Sequence, residues 1–525
     1  MYRIRLIFAS LLIIAVFATS APTQMYTLES DQVQEVLEKA GDNRQELKKV
    51  IKHYQAEGDQ QKLDAALYLI GNMEEHCYVT YRMFDTAGAD VEFNVLDYPD
   101  YDSLISFINV IEKERGELDY ERKDKVLDIE TITADYLISQ IDNAFLAWRE
   151  KPWAKNYSFD VFLKYILPYR GSNEPLDEWR TFFLKKYADL PSQMKDATDP
   201  IEAAALINDD LKGWFKFDAR YYLHPTDQGL PEMMETKMGR CEDITNLTIY
   251  ALRANGLPIT SDYTPYWANT GNNHAWNAIV QPDGKVIPFM GAEANPGEYK
   301  LYHQAAKVYR KSFGLNPDNL IFQENKQEAI PGWLKGKSYL DVTEDYVDTI
   351  TVDYTFEQDV PDSIDIAYLC VFNSGAWKPI DWARIENGKA SFKKIGRGIA
   401  VMIGLYLNEE IEPYSAPMLI GDDGSVTYLK ADSNATRNIN LVSTTKRTQI
   451  KSAENIAETS LKQNVNYKLS YYDHGWVELD QKVSSDKPLE FDKVPSNCLF
   501  WLVADDSDKE ERIFTVDEDG KQIWW

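Results

Sequence analysis

The spacing of apolar residues changes between the N-terminal and C-terminal parts of the chain. Over residues 28–190 apolar positions recur at steps of three and four, as on the buried face of an amphipathic helix. From about Tyr346 the step becomes two, as in Ile350, Val352 and Tyr354, and Gly and Asp turns follow. We therefore predict an α+β protein that is mostly helical in its N-terminal half and mostly β in its last third.

The β-rich part contains an internal repeat, which is counted from Trp377 in one copy and Trp476 in the other. The matched pairs are Tyr368 and Tyr467, Phe372 and Tyr471, Asp381 and Asp480, Phe392 and Phe491, Lys394 and Lys493, and Ile395 and Val494. These six matches in one register predict two similar β-sandwich modules. Their aromatic residues could form a glycan platform, but the alternating spacing favours hydrophobic core.

The length of the chain requires several domains, because 525 residues are too many for one hydrophobic core. We predict five segments from the changes in pattern. They are a signal peptide at 1–21, a helical domain at 22–200, a central core at 201–340, and β-sandwich modules at 341–440 and 441–525.

The first residues have the order of an export signal. Arg3 and Arg5 precede an apolar run over residues 6–17, and the small residues 18–21 lead to Pro22. An apolar run of about 12 residues is shorter than the roughly 20 that a membrane-spanning helix needs. We therefore predict export to the periplasm or the cell exterior, with no membrane span after signal cleavage.

The charge and cysteine content exclude other classes of protein. The chain has 56 Lys and Arg against 84 Asp and Glu, a net charge of −28, which disfavours nucleic-acid binding. Its four cysteines include no Cys-x-x-Cys pair, and its six histidines include no His-x-x-x-His pair, so we predict no metal site. We assign the adjacent His76 and Cys77 to the core of a helix.

The segment between the two halves contains residues suited to catalysis. In MGRCEDITNLTIYALRANGLP, the apolar residues Ile244, Leu247 and Ala251 share one face, and Asn255-Gly256 ends the pattern. The predicted helix therefore starts at Cys241, where free N–H groups and the helix dipole favour a thiolate and lower the thiol pKa. Cys241 is either a nucleophile or a buried structural cysteine.

A histidine follows in the right context to pair with this cysteine. The sequence after the helix predicts a strand at 259–267, a small-residue loop, a strand that opens with His274, and a strand at 285–290. An imidazole at the start of a strand that packs against the Cys241 helix can act as the base for the thiol. Together, the two residues favour the nucleophile interpretation.

The motifs GRCED, NNHAWN and DGK, in this order, resemble those of the transglutaminase-like superfamily of papain-related cysteine enzymes. The resemblance covers residues 221–297 and implies a papain-like α+β core between the helical N-terminal region and the two β-sandwich repeats. It implies Cys241 as nucleophile and His274 as general base and acid, with no metal or cofactor. The overall layout resembles that of secreted or periplasmic bacterial members.

The third catalytic position departs from the family pattern, because Met290 stands where an aspartate is usual. If Asp283-Gly284 forms a two-residue turn, His274 faces Glu293, which could orient the imidazole. Asn295 is the alternative, as a neutral partner. Further assignments are Gln228 as an oxyanion donor and two tryptophans as walls of the cleft, Trp267 and Trp276.

The predicted function is that of an exported cysteine enzyme acting on peptide or carboxamide bonds through a thioester. Hydrolysis is favoured over cross-linking, because nothing in the sequence supplies a site that excludes water. The predicted substrates are peptide, peptidoglycan stem peptide or glycoprotein. The alternative is a catalytically degenerate protein that binds peptide or glycan through the cleft and the β modules, and Met290 is the feature that favours it.

Overall fold

The computed structural model describes residues 24–323, 329–446, 459–505, 507 and 511–525. The signal peptide predicted at 1–21 lies outside these residues. Within them, no helix combines the length and the apolar character that a membrane crossing requires.

The N-terminal part consists mainly of helices around a shared apolar core, as the three-four spacing predicts. The core includes Leu47, Tyr54, Leu67, Leu137 and Ile141. The helices are α1 Asp31–Lys39, α2 Arg44–Glu57, α3 Gln60–Gly71, α4 Tyr101–Arg115, α5 Asp128–Thr131, α6 Ala134–Glu150, α7 Phe159–Val161, which continues as a π-helical turn Phe162–Ile166, α8 Trp179–Lys186 and α9 Pro200–Trp214.

A two-stranded antiparallel hairpin interrupts this helical part. It pairs β1, Cys77–Phe84, with β2, Asp119–Leu127. The assignment of His76 and Cys77 to a helix was wrong, because alternate residues of this segment, Cys77, Val79 and Met83, are buried with the period of a strand. His76 lies just before β1, and its ring stacks on Phe313 at 3.9 Å.

The central part places a helix against a five-stranded antiparallel sheet. Leu247 and Ala251 of the helix pack in one apolar cluster with Ile259 and Ile279 of the sheet. The sheet has the order β7-β6-β5-β8-β9. The elements are β3 Lys216–Phe217, α10 Leu230–Thr236, β4 Met238–Gly239, α11 Cys241–Ala254, β5 Ile259–Thr264, β6 His274–Val280, β7 Val286–Phe289, β8 Tyr309–Lys311 and β9 Tyr339–Asp341.

The first of two β modules, module 1, comprises eight strands in the range 349–428. One sheet pairs β10 with β13, and the other has the order β12-β11-β14-β16-β17, with β15 beside β14. The strands are β10 Thr349–Thr355, β11 Ile366–Asn373, β12 Ala376–Arg384, β13 Lys389–Gly396, β14 Ile399–Leu407, β15 Glu410–Pro413, β16 Met418–Ile420 and β17 Val426–Tyr428.

The second module, module 2, repeats this arrangement over residues 432–524. One sheet pairs β18 with β21, and the other has the order β20-β19-β22-β23-β24. The strands are β18 Asp432–Leu441, β19 Asn466–Tyr472, β20 Trp476–Val483, β21 Leu489–Ser496, β22 Phe500–Ala504, β23 Ile513–Val516 and β24 Gln522–Trp524. The boundary predicted between residues 440 and 441 falls inside β18.

The strand order confirms the internal repeat read from the sequence. Equivalent strand pairs carry a register shift at the same place of β12 and β20, between Pro379 and Asp381 and between Glu478 and Asp480. The matched residues Lys394 and Lys493 both have a left-handed backbone, with φ of 57° and 55°. The fold class is thus α+β with two sandwich-like β modules at the C-terminal end.

The aromatic residues of the repeats pack against one another between the two modules. Phe372 of module 1 lies 5.5 Å from Trp377, 5.6 Å from Trp476 and 5.1 Å from Trp501, measured between ring centroids. These rings belong to one apolar cluster that both modules build. The core interpretation of these aromatics is confirmed.

Candidate active site

Cys241 is the first residue of α11, as the sequence predicts. The turn that leads into the helix is held by the buried carboxylate of Asp243. This carboxylate accepts hydrogen bonds from the backbone N–H of Arg240 at 2.9 Å and from that of Gln228 at 2.9 Å. The position of the thiol is therefore set by the start of the helix and by the preceding loop together.

The environment of Cys241 favours the thiol over the thiolate. Burial raises the pKa of Cys241 to about 11, and the neighbouring Glu242 carboxylate acts in the same direction. The Arg240 guanidinium and the N–H of Glu242 oppose this shift but do not reverse it. The expectation of a lowered pKa was wrong, because desolvation outweighs the field of the helix start.

His274 opens β6 and pairs across the sheet with Thr264 of β5. Its ring lies between two tryptophans, with centroids 5.9 Å from both Trp267 and Trp276, and 6.4 Å from Tyr299. Burial lowers the pKa of His274, and nearby His303 lowers it further. The imidazole is therefore neutral at neutral pH, the state in which it can accept a proton.

The structure places Cys241 and His274 on adjoining elements. The side-chain amide of Asn277, on β6, donates to the backbone carbonyl of Thr245, one turn after Cys241, at 3.3 Å. Side chains alternate along a strand, so the ring of His274 lies with Trp276 on the other face. In the described ranges no hydrogen bond joins the thiol to the imidazole. Catalytic hydrogen bonds often tighten only when substrate binds.

The register of the β6–β7 hairpin differs from the predicted one by one residue. Asn277 pairs with Phe289 and Val280 with Val286, and the turn is a three-residue loop closed by Gln281 N–H donating to the Lys285 carbonyl at 2.8 Å. The expected two-residue turn was wrong, because Pro282 joins Asp283 and Gly284 in the loop. Glu293 therefore does not pair with His274 across the sheet.

Glu293 and Asn295 lie in and after a tight turn that follows β7. Met290 and Ala294 close this turn with two backbone hydrogen bonds of 3.0 and 3.1 Å. Burial raises the pKa of Glu293, and this carboxylate in turn helps to raise the pKa of Tyr299. The Glu293 carboxylate is thus near the ring that adjoins His274, without a hydrogen bond to the imidazole.

The side chain of Asn295 is held by α9. Its amide group donates to Asp209 at 2.9 Å and its oxygen accepts from Asn208 at 3.0 Å. Met290, in the usual aspartate position, packs in an apolar cluster with Trp267 and Trp276. No carboxylate or amide among the described residues makes a hydrogen bond to His274.

The other predicted site residues are buried. The amide nitrogen of Gln228 donates to the Met238 carbonyl at 2.9 Å and to Asp243 at 3.1 Å, so it holds the loop before α11. Trp267 and Trp276 are almost inaccessible and flank the imidazole of His274. The role of Gln228 as oxyanion donor and the role of the two tryptophans as cleft walls stay predictions.

Two further contacts were missed by reasoning from the sequence. The amide of Asn373, at the end of β11, donates to the backbone carbonyls of Trp267, Thr270 and Asn272 at 3.0, 2.9 and 2.9 Å. The buried guanidinium of Arg512, in module 2, donates to the carbonyl of Ala268 at 2.7 Å. Both brace the loop that leads into His274, and no local pattern signals a contact over such a sequence distance.

Metal-binding donors do not gather at this site. Over the part of the chain that the structure describes, no group of three or more His, Cys, Asp or Glu side chains is placed to hold a metal ion. The titratable side chains of the first turn of α11 are Cys241, Glu242 and Asp243, and Tyr222 is close enough for Cys241 to raise its pKa.

Residues 188–289 match a family model described as the transglutaminase-like superfamily. The match includes Cys241, His274 and the strands between and after them, so the centre of this chain is a transglutaminase-like domain. Among solved structures, the crystal structure of red sea bream transglutaminase is 9% identical over 85% of this chain and 76% of that chain. The TM-score of this comparison is 0.19. No curated protein matches the chain significantly.

Proposed function

We propose that this protein is a transglutaminase-like cysteine enzyme that acts on peptide or carboxamide bonds through a thioester at Cys241. One observation carries the proposal. Cys241 begins α11, and this helix packs on the strand that begins with His274, inside the matched range 188–289. A thiol and an imidazole on adjoining elements are the pair of groups that nucleophilic catalysis by cysteine uses.

The reaction begins when His274 accepts the thiol proton of Cys241 as the sulfur attacks the carbonyl carbon. Because the pKa of Cys241 is about 11, this proton leaves during the attack and not beforehand. The C–N bond then breaks, His274 gives the proton to the leaving amine, and a thioester remains. Water attacks the thioester with His274 as base, the C–S bond breaks, and the acid and the thiol are released.

The type of reaction, the location of the protein and its substrates are proposed from the sequence. We favour hydrolysis over cross-linking, in which a substrate amine would replace water. The basic and apolar N-terminal residues support export to the periplasm or the cell exterior. The substrates proposed are peptides, with peptidoglycan stem peptides and glycoproteins as the specific candidates.

A second candidate is a peptide- or glycan-binding protein with an inactive cleft. The observation that favours it is a raised Cys241 pKa together with an imidazole to which no carboxylate of the described residues makes a hydrogen bond. Met290 occupies the position where the family usually supplies that carboxylate.

The test combines a product assay with labelling of the thiol. The protein is incubated with dimethylcasein, with and without dansylcadaverine, and new peptide ends, released ammonia and bound dansyl groups are measured. We expect Cys241-dependent hydrolysis, and a loss of about 100-fold or more in His274→Ala. Exposed His53 supplies the control, so His53→Ala should retain activity.

Labelling separates the two candidate functions. Alkylation of Cys241 by iodoacetamide is followed by peptide mass from pH 7 to 10 in wild type and His274→Ala. Slower alkylation without the histidine supports the enzyme. Equal rates in both proteins, with no product from dimethylcasein, favour the binding protein.

A further inference from the structure

A cavity of about 670 Å³ opens beside the start of α11. The β1–β2 hairpin lines it with Tyr81, Met83 and Tyr120, and the segment that contains Tyr222 lines it as well. Arg240, which precedes Cys241, also lines the cavity. Its volume lies within the range of about 300–1,000 Å³ that is usual for ligand pockets.

Tyr222 connects this cavity to the thiol. Its side chain is 51% exposed and lines the cavity. Burial of the hydroxyl raises the pKa of Tyr222 to about 12, with Cys241 as the next largest cause. Tyr222 thus lines the cavity and is close enough to Cys241 to feel its charge, and Arg240, another lining residue, directly precedes Cys241 in the chain.

The lining selects apolar or aromatic groups over charged ones. The charged groups of the wall already have partners within the protein: Arg82 binds Asp90 and Glu121, Arg240 binds Asp227, and His224 binds Glu232. The two remaining charged lining residues are exposed and of opposite sign, Glu92 and Lys123. Tyrosine rings, Met, Val, Phe, Leu and Pro make up the rest of the wall, as in pockets that take apolar groups.

We propose that this cavity is a substrate subsite that takes an apolar or aromatic side chain of the peptide whose bond reacts at Cys241. The proposal rests on the function proposed above and adds the substrate preference. The hairpin lies outside the matched range 188–289, so this part of the specificity comes from the N-terminal region and not from the transglutaminase-like domain.

Alkylating probes with different tails test the subsite in the intact protein. The rate of Cys241 alkylation is measured by peptide mass for iodoacetamide, N-(2-phenylethyl)iodoacetamide and N-iodoacetylglycine, each divided by its rate with glutathione. We expect the phenylethyl probe to show saturation and a gain of about tenfold or more over iodoacetamide, because an apolar tail fills an apolar pocket. The carboxylate tail should give no gain.

Tyr120→Ala provides the matched variant. Tyr120 is 49% exposed on β2, so its removal is compatible with folding, and it should abolish the gain of the phenylethyl probe over iodoacetamide. The control is Tyr428→Ala, an exposed tyrosine of module 1, which should keep the gain.

The outcomes keep the two proposals distinct. No phenylethyl gain, or a gain that survives Tyr120→Ala, overturns the subsite even if Cys241 is active. A Tyr120-dependent gain together with no effect of His274→Ala supports the cavity and overturns the enzyme. Protection of Cys241 by chitotetraose, with no phenylethyl gain, would assign the cavity to glycan and overturn the peptide proposal.

Discussion

The two β modules share one strand order, but equivalent positions of the two modules make different contacts with the rest of the protein. Asp381 on β12 is largely buried and binds the ammonium group of Lys307 at 3.0 Å. Asp480 holds the same position of the repeat on β20, where it is exposed and 3.7 Å from Lys482. The same residue in the same fold is a buried ion-pair partner in one copy and a surface residue in the other.

The turns between equivalent strands differ in the same way. At the end of β11, Asn373 is 2% exposed and braces the loop before His274. The turn after β19 carries His474, whose side chain is 95% exposed. Equivalent turns of the repeated fold therefore make different contacts with the rest of the protein. Paired substitutions in the two modules measure how much these contacts contribute to stability.

Lys307→Met should give the largest effect. The Lys307 side chain is 2% exposed and bridges Asp341 at 2.7 Å and Asp381 at 3.0 Å. Its removal leaves carboxylates without their cation, and we expect the free energy of unfolding to fall by about 3–5 kcal/mol. Urea denaturation followed by tryptophan fluorescence gives the value.

Lys482→Met in module 2 is the matched control. Its exposed contact with Asp480 should contribute no more than about 1 kcal/mol. Similar losses of unfolding free energy in Lys307→Met and Lys482→Met would contradict the claim that the two modules make different contacts with the rest of the protein.

Asn373→Ala should have an intermediate effect. The change removes the donor of three hydrogen bonds, one of them to the carbonyl of buried Trp267, and we expect a cost of about 1–3 kcal/mol. Hydrogen exchange of residues 267–272 should also become faster, since their loop loses its brace. His474→Ala should stay within about 0.5 kcal/mol of wild type, and an unchanged exchange rate in Asn373→Ala would argue against the brace.

Alkylation of the module cysteines, Cys370 and Cys498, should be the smallest of these effects in the native protein. Burial raises the pKa of Cys370 and raises that of Cys498 to about 12, and both thiols are almost inaccessible. Iodoacetamide at pH 9 should therefore modify only half-buried Cys241 among these three. In Lys307→Met at low urea, Cys370 should become labelled before Cys498. Simultaneous labelling would mean that the two modules unfold together.

Local patterns were enough to locate the central elements. The N-terminal end of α11 at Cys241 and the first residue of β6 at His274 follow from helix and strand periods that act over a few residues. The repeat was visible because its matched side chains occupy equivalent strand positions. Hairpin β1–β2 was missed because its two strands are far apart in the sequence and a helix, α4, lies between them.

Patterns in the sequence were enough to predict the α+β class, the two β modules and the transglutaminase-like order of cysteine and histidine. They did not predict the register of β6 and β7, the raised pKa of Cys241 or the contacts of Asn373, which depend on how the chain folds. The difference lies in the distance along the chain over which each interaction acts. Periodicity and turns act between near neighbours, whereas desolvation and hydrogen bonds depend on which distant segments pack together.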